Sequence, residues 1–227
     1  VALRSAGLAC GLGFGLLLIA LSLFHSNSEI GWSVFGLYVV VLCVFHWGEY
    51  VTVGYTNPNN LKLDAFLLNH SKEYWIAAVS SWLEFWAEWI LLAETKACLF
   101  ISFVGLILCV AGEICRKAAM FTAGTNFTHL VQYRKVQGHQ LITHGIYSWC
   151  RHPSYLGWFM WSIGTQILLM NPVCFVGYLV VSWRFFKERI HTEEILLLNF
   201  FGEDYVRYQR RVPTGLPFIR GFTDADV

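Results

Sequence analysis

The chain has 227 residues, of which 56% are hydrophobic and 17% are aromatic. A soluble globular domain is about 45–50% apolar, so this composition predicts an integral membrane protein with the lipid bilayer as a partner. The formal net charge is only +1 and no dense basic block occurs, which argues against nucleic acid as a partner. The seven cysteines show no paired spacing, so we expect reduced packing residues rather than disulfides or a metal site.

Apolar runs of about 20 residues, the length that crosses a bilayer as an α-helix, recur along the chain. They predict six spans, at residues 5–24, 31–54, 73–93, 98–121, 153–170 and 172–190. In the first span Gly7, Gly11 and Gly15 recur at four-residue spacing, which lets a second helix approach closely. The predicted fold is therefore an all-α integral membrane protein, a multi-span helical bundle of about six spans.

The distribution of lysine and arginine predicts the orientation of this bundle. If the N-terminus is cytoplasmic, 15 of the 16 basic residues lie in cytoplasmic segments and only Lys96 lies outside. This asymmetry is the one that the positive-inside rule describes. Both termini and the long loop at 122–152 are then expected to face the cytosol.

Three glutamates, Glu84, Glu88 and Glu113, fall within the third and fourth predicted spans. Ionisable groups at membrane depth are costly and face protein or water, so we expect structural hydrogen bonds for them. In the second span His46 and Glu49 are three residues apart and are expected to bond to each other. The alternative is an ion path through a channel or transporter. It is disfavoured because the polar residues cluster at one surface and no inverted repeat is apparent.

The loop at 122–152 ends in a polar, ring-rich stretch that directly precedes an apolar run. Pro153 suits the first turn of a helix, so Arg151 and His152 are expected at its entrance. The first N–H groups of a helix carry the positive end of its dipole and favour an anionic group of a small molecule. Rings and amide side chains in the loop suit a flat heterocycle. The irregular histidine spacing argues against a metal.

The two apolar runs after this point predict a helical hairpin. Asn171 is expected to cap the second helix, with Pro172 as its first residue. A helix from 172 to about 200 would span roughly 40 Å, more than the ~30 Å hydrocarbon core, so its last turns must emerge. These turns carry two pairs at i, i+4 spacing, Arg184 with Glu188 and Arg189 with Glu193. Gly202 is expected to end the helix before a short final one.

Several motifs of the C-terminal half carry a resemblance to a known family. They are His139-x-Leu141-Ile142-x3-Gly145-x-Tyr147, Arg151-His152-Pro153-x-Tyr155-x-Gly157, Glu193-Glu194, Phe201-Gly202-x-x-Tyr205-x-x-Tyr208, Val212-Pro213 and Pro217. Together they resemble the isoprenylcysteine carboxyl methyltransferase family over residues 130 to 219. The Arg-His-Pro-x-Tyr element alone is shared with NADPH-dependent membrane sterol reductases and with related methyltransferases, including those that act on phospholipids. These are the alternatives.

The resemblance implies methyl transfer from S-adenosylmethionine to the C-terminal carboxylate of a farnesyl- or geranylgeranyl-cysteine on processed CaaX proteins. It implies the endoplasmic reticulum membrane and a cytosol-facing cofactor site beside the hairpin. The implied methyl-donor contacts are Gln132, His139, Gln140, Leu141, Ile142, Tyr147, His152, Pro153, Ser154, Tyr155 and Glu193. The resemblance also implies that Arg189 binds the substrate carboxylate. Arg189 and Glu193 are therefore the predicted catalytic residues.

The chemistry of these residue types agrees with this assignment. The helix start at Pro153, with His152, suits the carboxylate of the donor, and Glu193 suits its ammonium group. Tyr147 or Tyr155 can face the sulfonium or stack on adenine. A phospholipid methyltransferase acts on an amine, for which Arg189 is unsuited. A reductase needs a further basic group for the 2′-phosphate of NADPH.

The sequence thus predicts two regions. Residues 1–121 form the N-terminal transmembrane helices. Residues 122–227 form a catalytic region that contains the cofactor loop, the helical hairpin at 153–200, and a short C-terminal helix with its tail.

Overall fold

The computed structural model describes residues 1–24, 30–68, 71–92, 96 and 98–222. Within these ranges all regular structure is helical, which confirms the predicted all-α class. The seven α-helices are α1 (Ala2–Phe24), α2 (Ile30–Thr56), α3 (Lys72–Leu91), α4 (Leu99–Ala123), α5 (Pro153–Leu169), α6 (Pro172–Phe201) and α7 (Glu203–Gln209). The first six match the six predicted apolar segments to within a few residues, except at the end of α6. The final residues of the predicted catalytic region, 223–227, lie outside the described ranges.

Three of the described helices are long and apolar enough to cross a membrane. The apolar segments are Ala2–Leu23, Gly31–Thr56 and Leu99–Asn126, which belong to α1, α2 and α4. The helix α5 has only 17 residues, and α3 and α6 carry several charged side chains. The chain is thus a helical membrane protein, and the total of six spans stays a prediction.

The helices α4 and α5 pack most extensively, and glycines let their backbones touch. A Cβ atom at Gly112 would lie 2.5 Å from the carbonyl oxygen of Gly157, and one at Gly105 would lie 2.1 Å from the main-chain nitrogen of Leu168. Small residues at a helix interface allow this approach in lipid, where packing rather than the hydrophobic effect drives association. The start of α5 is thereby held in fixed register against α4.

The glycines of α1 behave as predicted at two of three positions. A Cβ at Gly15 would lie 2.7 Å from the carbonyl oxygen of Gly36 in α2, and one at Gly11 would lie 2.8 Å from the sulfur of Cys43. Gly7 has nothing within 4 Å of such an atom, so it plays no part in the contact. The close approach of α1 and α2 is therefore confirmed, but with a shorter glycine face than the sequence suggested.

The hairpin turn between α5 and α6 departs from prediction in its cap. Asn171 precedes α6, but its side chain donates to the carbonyl oxygen of Ser81 at 2.9 Å and caps nothing. Glu84 of α3 takes the capping role, because its carboxylate accepts hydrogen bonds from the main-chain N–H groups of Val173 (2.7 Å) and Cys174 (2.6 Å). A carboxylate is favoured there by the positive end of the helix dipole.

The C-terminus of α5 is closed by a buried lysine. Lys96 is 1% exposed, and its ammonium donates to the carbonyl oxygens of Leu169 at 3.0 Å and Met170 at 2.8 Å. Glu88 of α3 forms an ion pair with it. The structural roles predicted for Glu84 and Glu88 are thus confirmed.

The predicted bond between His46 and Glu49 is wrong. His46 donates from Nδ1 to the carbonyl oxygen of Phe66 at 2.9 Å and accepts at Nε2 from the Tyr74 hydroxyl at 2.7 Å. Glu49 is fully buried and faces Arg116 of α4, whose Nε and Nη2 each donate to it at 2.8 Å. Both side chains find partners outside their own helix, which local spacing does not reveal.

The helix α6 runs unbroken for 30 residues, as predicted, and Gly202 ends it with a φ of 54°. Glycine adopts this left-handed backbone without the penalty that a Cβ atom imposes. In the short helix α7 that follows, Tyr205 and Tyr208 are both buried. They bring the C-terminal tail back against the end of α6.

The backbone contact between α4 and α5 is tested by Gly112→Ala. The added Cβ would meet backbone atoms of α5, which cannot rotate away, so we expect destabilisation of about 1–3 kcal/mol. Thermal unfolding in detergent micelles measures it. Gly177→Ala in α6 is the matched control, because nothing lies within 4 Å of its added Cβ. Equal melting temperatures for the two variants would contradict the account.

Candidate active site

A cavity of about 110 Å³ lies where the loop before α5, the first turn of α5 and the last turns of α6 meet. Eight of the residues predicted to contact a methyl donor line it: Gln132, His139, Tyr147, His152, Pro153, Ser154, Tyr155 and Glu193. The other lining residues are Ala123, Asn126, Phe127, Thr128, Leu130, Arg151, Leu196, Leu197 and Phe200. Segments far apart in sequence therefore converge on one space.

Three predicted donor contacts do not line the cavity. The main-chain N–H of Gln140 donates to the side-chain oxygen of Asn126 at 2.8 Å, so Gln140 acts on a lining residue. Leu141 packs against the apolar cluster that contains Tyr205 and Tyr208. Ile142 is half-buried beside it and is not among the lining residues.

The apolar wall on α6 was missed by the sequence analysis, although the helical period contains it. Leu196, Leu197 and Phe200 follow Glu193 by three, four and seven residues, so they share its face of the helix. Phe127, Thr128 and Leu130 carry no comparable signal, because their loop lacks a regular period. Their side chains were not distinguishable from those of neighbouring loop residues.

Two neutral rings flank the cavity. The ring of His139 meets Phe200 edge-on at 5.8 Å between centroids. Burial and the nearby charge of Lys135 lower the pKa of His139, so its imidazole is neutral at pH 7. The carbonyl oxygen of Tyr147 accepts a hydrogen bond from the Tyr208 hydroxyl at 2.6 Å, and burial raises the pKa of Tyr147. Both rings thus present uncharged surfaces.

Tyr155 links the two predicted catalytic residues. Its hydroxyl donates to the carboxylate of Glu193 and accepts from Nε of Arg189 at 2.9 Å. Arg189 itself does not line the cavity, and its guanidinium lies 5.5 Å from the centroid of the Tyr155 ring. The ring of His152 stacks on that of Tyr155, with centroids 5.6 Å and planes 4° apart. The phenol is therefore fixed between a charged pair and a stacked ring.

The i, i+4 pairs of α6 do not close into ion pairs. Among the described residues, neither Arg184 with Glu188 nor Arg189 with Glu193 has an N···O contact within 4 Å. For the second pair the Tyr155 hydroxyl stands between the two charges. The hydrogen bonds to Tyr155 of α5 thus take the place of a direct ion pair between Arg189 and Glu193.

Arg151 lies at the entrance of α5, as predicted, and its guanidinium bonds to other parts of the chain. Its Nε donates at 2.7 Å to Glu194, which is fully buried, and its other nitrogens donate to carbonyl oxygens of the tail at Val212 and Arg220. Its main-chain N–H donates to the Pro213 carbonyl oxygen at 2.8 Å. The guanidinium is committed to the protein, so it is not a free cation for a small-molecule anion.

Glu194 is the centre of this second cluster. Its Oε1 accepts hydrogen bonds from Nε2 of His152 at 3.0 Å and from the Tyr205 hydroxyl at 3.1 Å, besides that from Arg151. Burial alone would raise the pKa of Glu194, but hydrogen bonding and the charges of His152 and Arg151 hold it below its ordinary value. The side chain remains ionised and ties α5 to the tail.

The first turn of α5 is also held from the side of α4. Arg116 donates from Nη1 to the Ser154 hydroxyl at 2.6 Å and to its carbonyl oxygen at 3.2 Å. Ser154 therefore serves a structural bond as well as lining the cavity. In the described part of the chain no group of three or more histidine, cysteine, aspartate or glutamate side chains could hold a metal ion.

Comparisons with known proteins agree with the motif resemblance. Residues 104–199 match the model of the isoprenylcysteine carboxyl methyltransferase (ICMT) family. A protein-S-isoprenylcysteine O-methyltransferase of Xenopus laevis is 52% identical over 221 residues, which cover 97% of this chain and 74% of that relative. The one of Tribolium castaneum is 48% identical, covering 98% of this chain and 77% of that relative.

A solved structure extends this likeness to three dimensions. It is that of the eukaryotic intramembrane Ras methyltransferase ICMT without a monobody, 47% identical, with a TM-score of 0.92 over 98% of this chain and 77% of that one. Fold and matches together define a helical membrane methyltransferase. The chain belongs to the isoprenylcysteine carboxyl methyltransferase family. It is therefore an enzyme, and the reductase, phospholipid methyltransferase and channel alternatives fall away.

The buried cluster around Glu194 makes a prediction about stability and pH. Glu194→Gln removes the charge that compensates Arg151, and breaking a buried pair costs roughly 3–5 kcal/mol, so we expect a lower melting temperature at pH 7. Because the folded-state pKa is lowered, the stabilisation is present above the unfolded pKa of about 4.3 and is lost as pH falls through the folded-state pKa. The difference in melting temperature between the parent and Glu194→Gln should therefore become smaller below about pH 4.

Differential scanning fluorimetry in detergent at several pH values measures this gap. The control is Glu188→Gln, on an exposed position of the same helix, which should melt with the parent at pH 7. A Glu194→Gln variant that also melts with the parent at pH 7 would contradict the assigned role.

Proposed function

We propose that this enzyme transfers a methyl group from S-adenosylmethionine to the C-terminal carboxylate of a prenylated cysteine, farnesyl or geranylgeranyl, on processed CaaX proteins. Family membership supports the methyl transfer and the prenylcysteine acceptor. The observation that supports the rest is that eight of the eleven donor residues implied by the resemblance line one cavity, with Tyr155 joining Glu193 to Arg189.

The cavity suits the parts of the proposed donor. Glu193 offers a carboxylate for the ammonium group, and the neutral rings of His139 and Tyr147 offer surfaces for adenine. Pro153 and Ser154 begin α5, where the positive end of the helix dipole favours the donor carboxylate. When bound, S-adenosylmethionine supplies a methyl group on a positively charged sulfur.

Arg189 is the proposed holder of the acceptor carboxylate. Its Nε donates to the Tyr155 hydroxyl at 2.9 Å and its Nη2 to the carbonyl oxygen of His129 at 2.6 Å, while Nη1 has no hydrogen-bond partner among the described residues. Two donors thus fix the plane of the guanidinium, and the third nitrogen can hold a carboxylate. The acceptor is already an anion, so no general base is needed.

The rate enhancement is proposed to come from placement. Arg189 holds the acceptor carboxylate and Glu193 holds the donor, and the Tyr155 hydroxyl fixes these two side chains relative to each other. Orienting two reactants in this way can supply a large part of the barrier reduction. Since a carboxylate and a sulfonium neutralise each other as they react, a water-poor cavity favours the step.

The membrane setting follows from charge and length. The basic residues support a cytoplasmic N-terminus and a cytosol-facing site at the emerging end of α6, and the apolar runs support six spans. The endoplasmic reticulum membrane is what the family resemblance implies. The prenyl chain would stay in the bilayer, because exposing it to water costs about 0.8 kcal/mol per CH₂. In this arrangement residues 1–121 anchor the enzyme and residues 122–227 form its catalytic region.

Arg189→Lys tests the acceptor site. Lysine keeps the charge but lacks the planar fork that Tyr155 and His129 orient, so we expect kcat/KM for a farnesylcysteine acceptor to fall by about tenfold or more. Transfer of labelled methyl groups measures it. Arg184→Lys, on an exposed position of the same helix, should retain the parent rate. Near-parent turnover in Arg189→Lys would remove Arg189 from the proposal.

Glu193→Gln tests the donor site separately. Loss of the carboxylate should raise the KM for S-adenosylmethionine by about tenfold or more, since charge-assisted hydrogen bonds contribute about 1.5–3 kcal/mol. The KM for the acceptor should change much less. Glu188→Gln, five residues earlier on α6 and exposed, is the control. An unchanged donor KM in Glu193→Gln would contradict the assignment.

A further inference from the structure

A cluster of buried charge lies beside the cavity without lining it. Its centre is Glu49 of α2, which is fully buried. Its carboxylate accepts hydrogen bonds from Arg116, from Nζ of Lys117 at 2.5 Å and from Nε2 of His129 at 2.7 Å. Arg116 and Lys117 belong to α4, whereas His129 belongs to the loop that walls the cavity.

His129 connects this cluster to the proposed acceptor site. Its side chain donates to Glu49, and its main-chain carbonyl oxygen accepts the 2.6 Å hydrogen bond from Nη2 of Arg189. Its neighbours Thr128 and Leu130 both line the cavity. One loop residue thus joins a carboxylate on α2 to a guanidinium on α6, two helices that are far apart in sequence.

Individual hydrogen bonds fix the loop around this carbonyl. Nδ2 of Asn57 donates to the carbonyl oxygen of Phe127 at 3.2 Å, and the Thr128 hydroxyl donates to the carbonyl oxygen of Leu130 at 2.8 Å. Residues 127–144 contain no helix or strand, so a residue there keeps its place through individual contacts. The ring of His129 is held by Glu49 and by an edge-on contact with Phe127 at 5.4 Å. A buried hydrogen bond to an ionised acceptor is among the stronger and shorter ones in proteins. Glu49 therefore supplies the hydrogen bond that holds His129 itself, and so restrains the direction of its carbonyl.

We propose that Glu49 and His129 are positioning residues for Arg189. Glu49 fixes the imidazole of His129, and the carbonyl of His129 then fixes the guanidinium plane that presents Nη1 to the acceptor carboxylate. This inference rests on the proposed function, in which Arg189 holds that carboxylate. Neither residue touches the donor, so their effect falls on the acceptor.

A purely structural role gives a different pattern. Glu49 also holds Arg116, and Arg116 bonds to Ser154 at the start of α5. If Glu49 and His129 acted only through the fold, their loss would disturb donor and acceptor sites together and lower the melting temperature in proportion. For His129, which makes no bond to Arg116, positioning of Arg189 predicts an effect confined to the acceptor.

The sharpest single variant is His129→Ala, which keeps the main-chain carbonyl and the pair between Glu49 and Arg116. We expect its kcat/KM for a farnesylcysteine acceptor to fall on the order of tenfold, below the roughly hundredfold that a 1 Å misplacement can cause. The KM for S-adenosylmethionine should stay within about twofold of the parent, since no donor contact is lost. His144→Ala, an exposed histidine of the same loop, is the matched control and should retain parent values.

A double-mutant cycle assigns the effect to Arg189. In an Arg189→Lys background, His129→Ala should cause little further loss, because the plane that His129 orients is already absent. Glu49→Gln should show the acceptor defect of His129→Ala together with a lower melting temperature, because it also breaks the buried pair with Arg116. Adding His129→Ala to Glu49→Gln should cause no further loss in kcat/KM for the acceptor. Glu84→Gln, another span glutamate that caps the opposite end of α6, should leave the acceptor KM unchanged.

Three results overturn the inference alone while Arg189→Lys remains impaired. The first is an unchanged acceptor kcat/KM in His129→Ala, and the second is that His129→Ala causes the same fold-loss in the Arg189→Lys background as in the parent. The third is an equal rise of the donor and acceptor KM values in His129→Ala, which would indicate a structural role. Normal turnover of Arg189→Lys would instead overturn the proposed acceptor site and, with it, the inference.

Discussion

Two buried carboxylates hold the start of α5, and the candidate site depends on that restraint. Glu49 and Glu194 are each fully buried, and each is compensated by a buried arginine, Arg116 on one side and Arg151 on the other. Arg116 reaches Ser154 from α4, while Glu194 reaches His152 from α6. Removing one partner of such a pair leaves an unpaired charge in a medium of low dielectric constant, which strongly destabilises a protein. The first turn of α5 is thus fixed from both sides.

The membrane helices supply the frame for these contacts. Helices in lipid gain little from the hydrophobic effect, so the backbone contact between Gly112 and Gly157 is what sets the register of α4 and α5. That register places Arg116 opposite the first turn of α5. At the other end of the site, α6 has 30 residues, and in the proposed six-span arrangement its last turns, with Glu193 and Glu194, extend beyond the ~30 Å hydrocarbon core. The charged residues of the site can therefore lie at the membrane edge, close to lipid and to water.

Helix positions were predictable from the sequence, because long apolar runs, the helix start at Pro153 and the helix end at Gly202 depend on local chemistry alone. The partners of polar side chains were not. His46 bonds to Phe66 and Tyr74 rather than to Glu49, and the Asn171 side chain bonds to Ser81 rather than capping α6. In each case the partner comes from another segment of the chain. Eight of the eleven predicted donor contacts do line one cavity. Its apolar wall on α6 follows the helical period from Glu193, whereas the link through His129 carries no short-range signal in the sequence.

The central claim is that this cavity holds the methyl donor beside the linked side chains of Tyr155, Glu193 and Arg189. The most direct measurement is an experimental structure of the purified enzyme in lipid nanodiscs with bound S-adenosylhomocysteine. The account predicts the nucleoside in the cavity, with its amino group on Glu193, its adenine near His139 and Tyr147, and its sulfur on the side of Tyr155. A nucleoside bound elsewhere, or bound in this cavity with its amino group turned away from Glu193, would contradict the account.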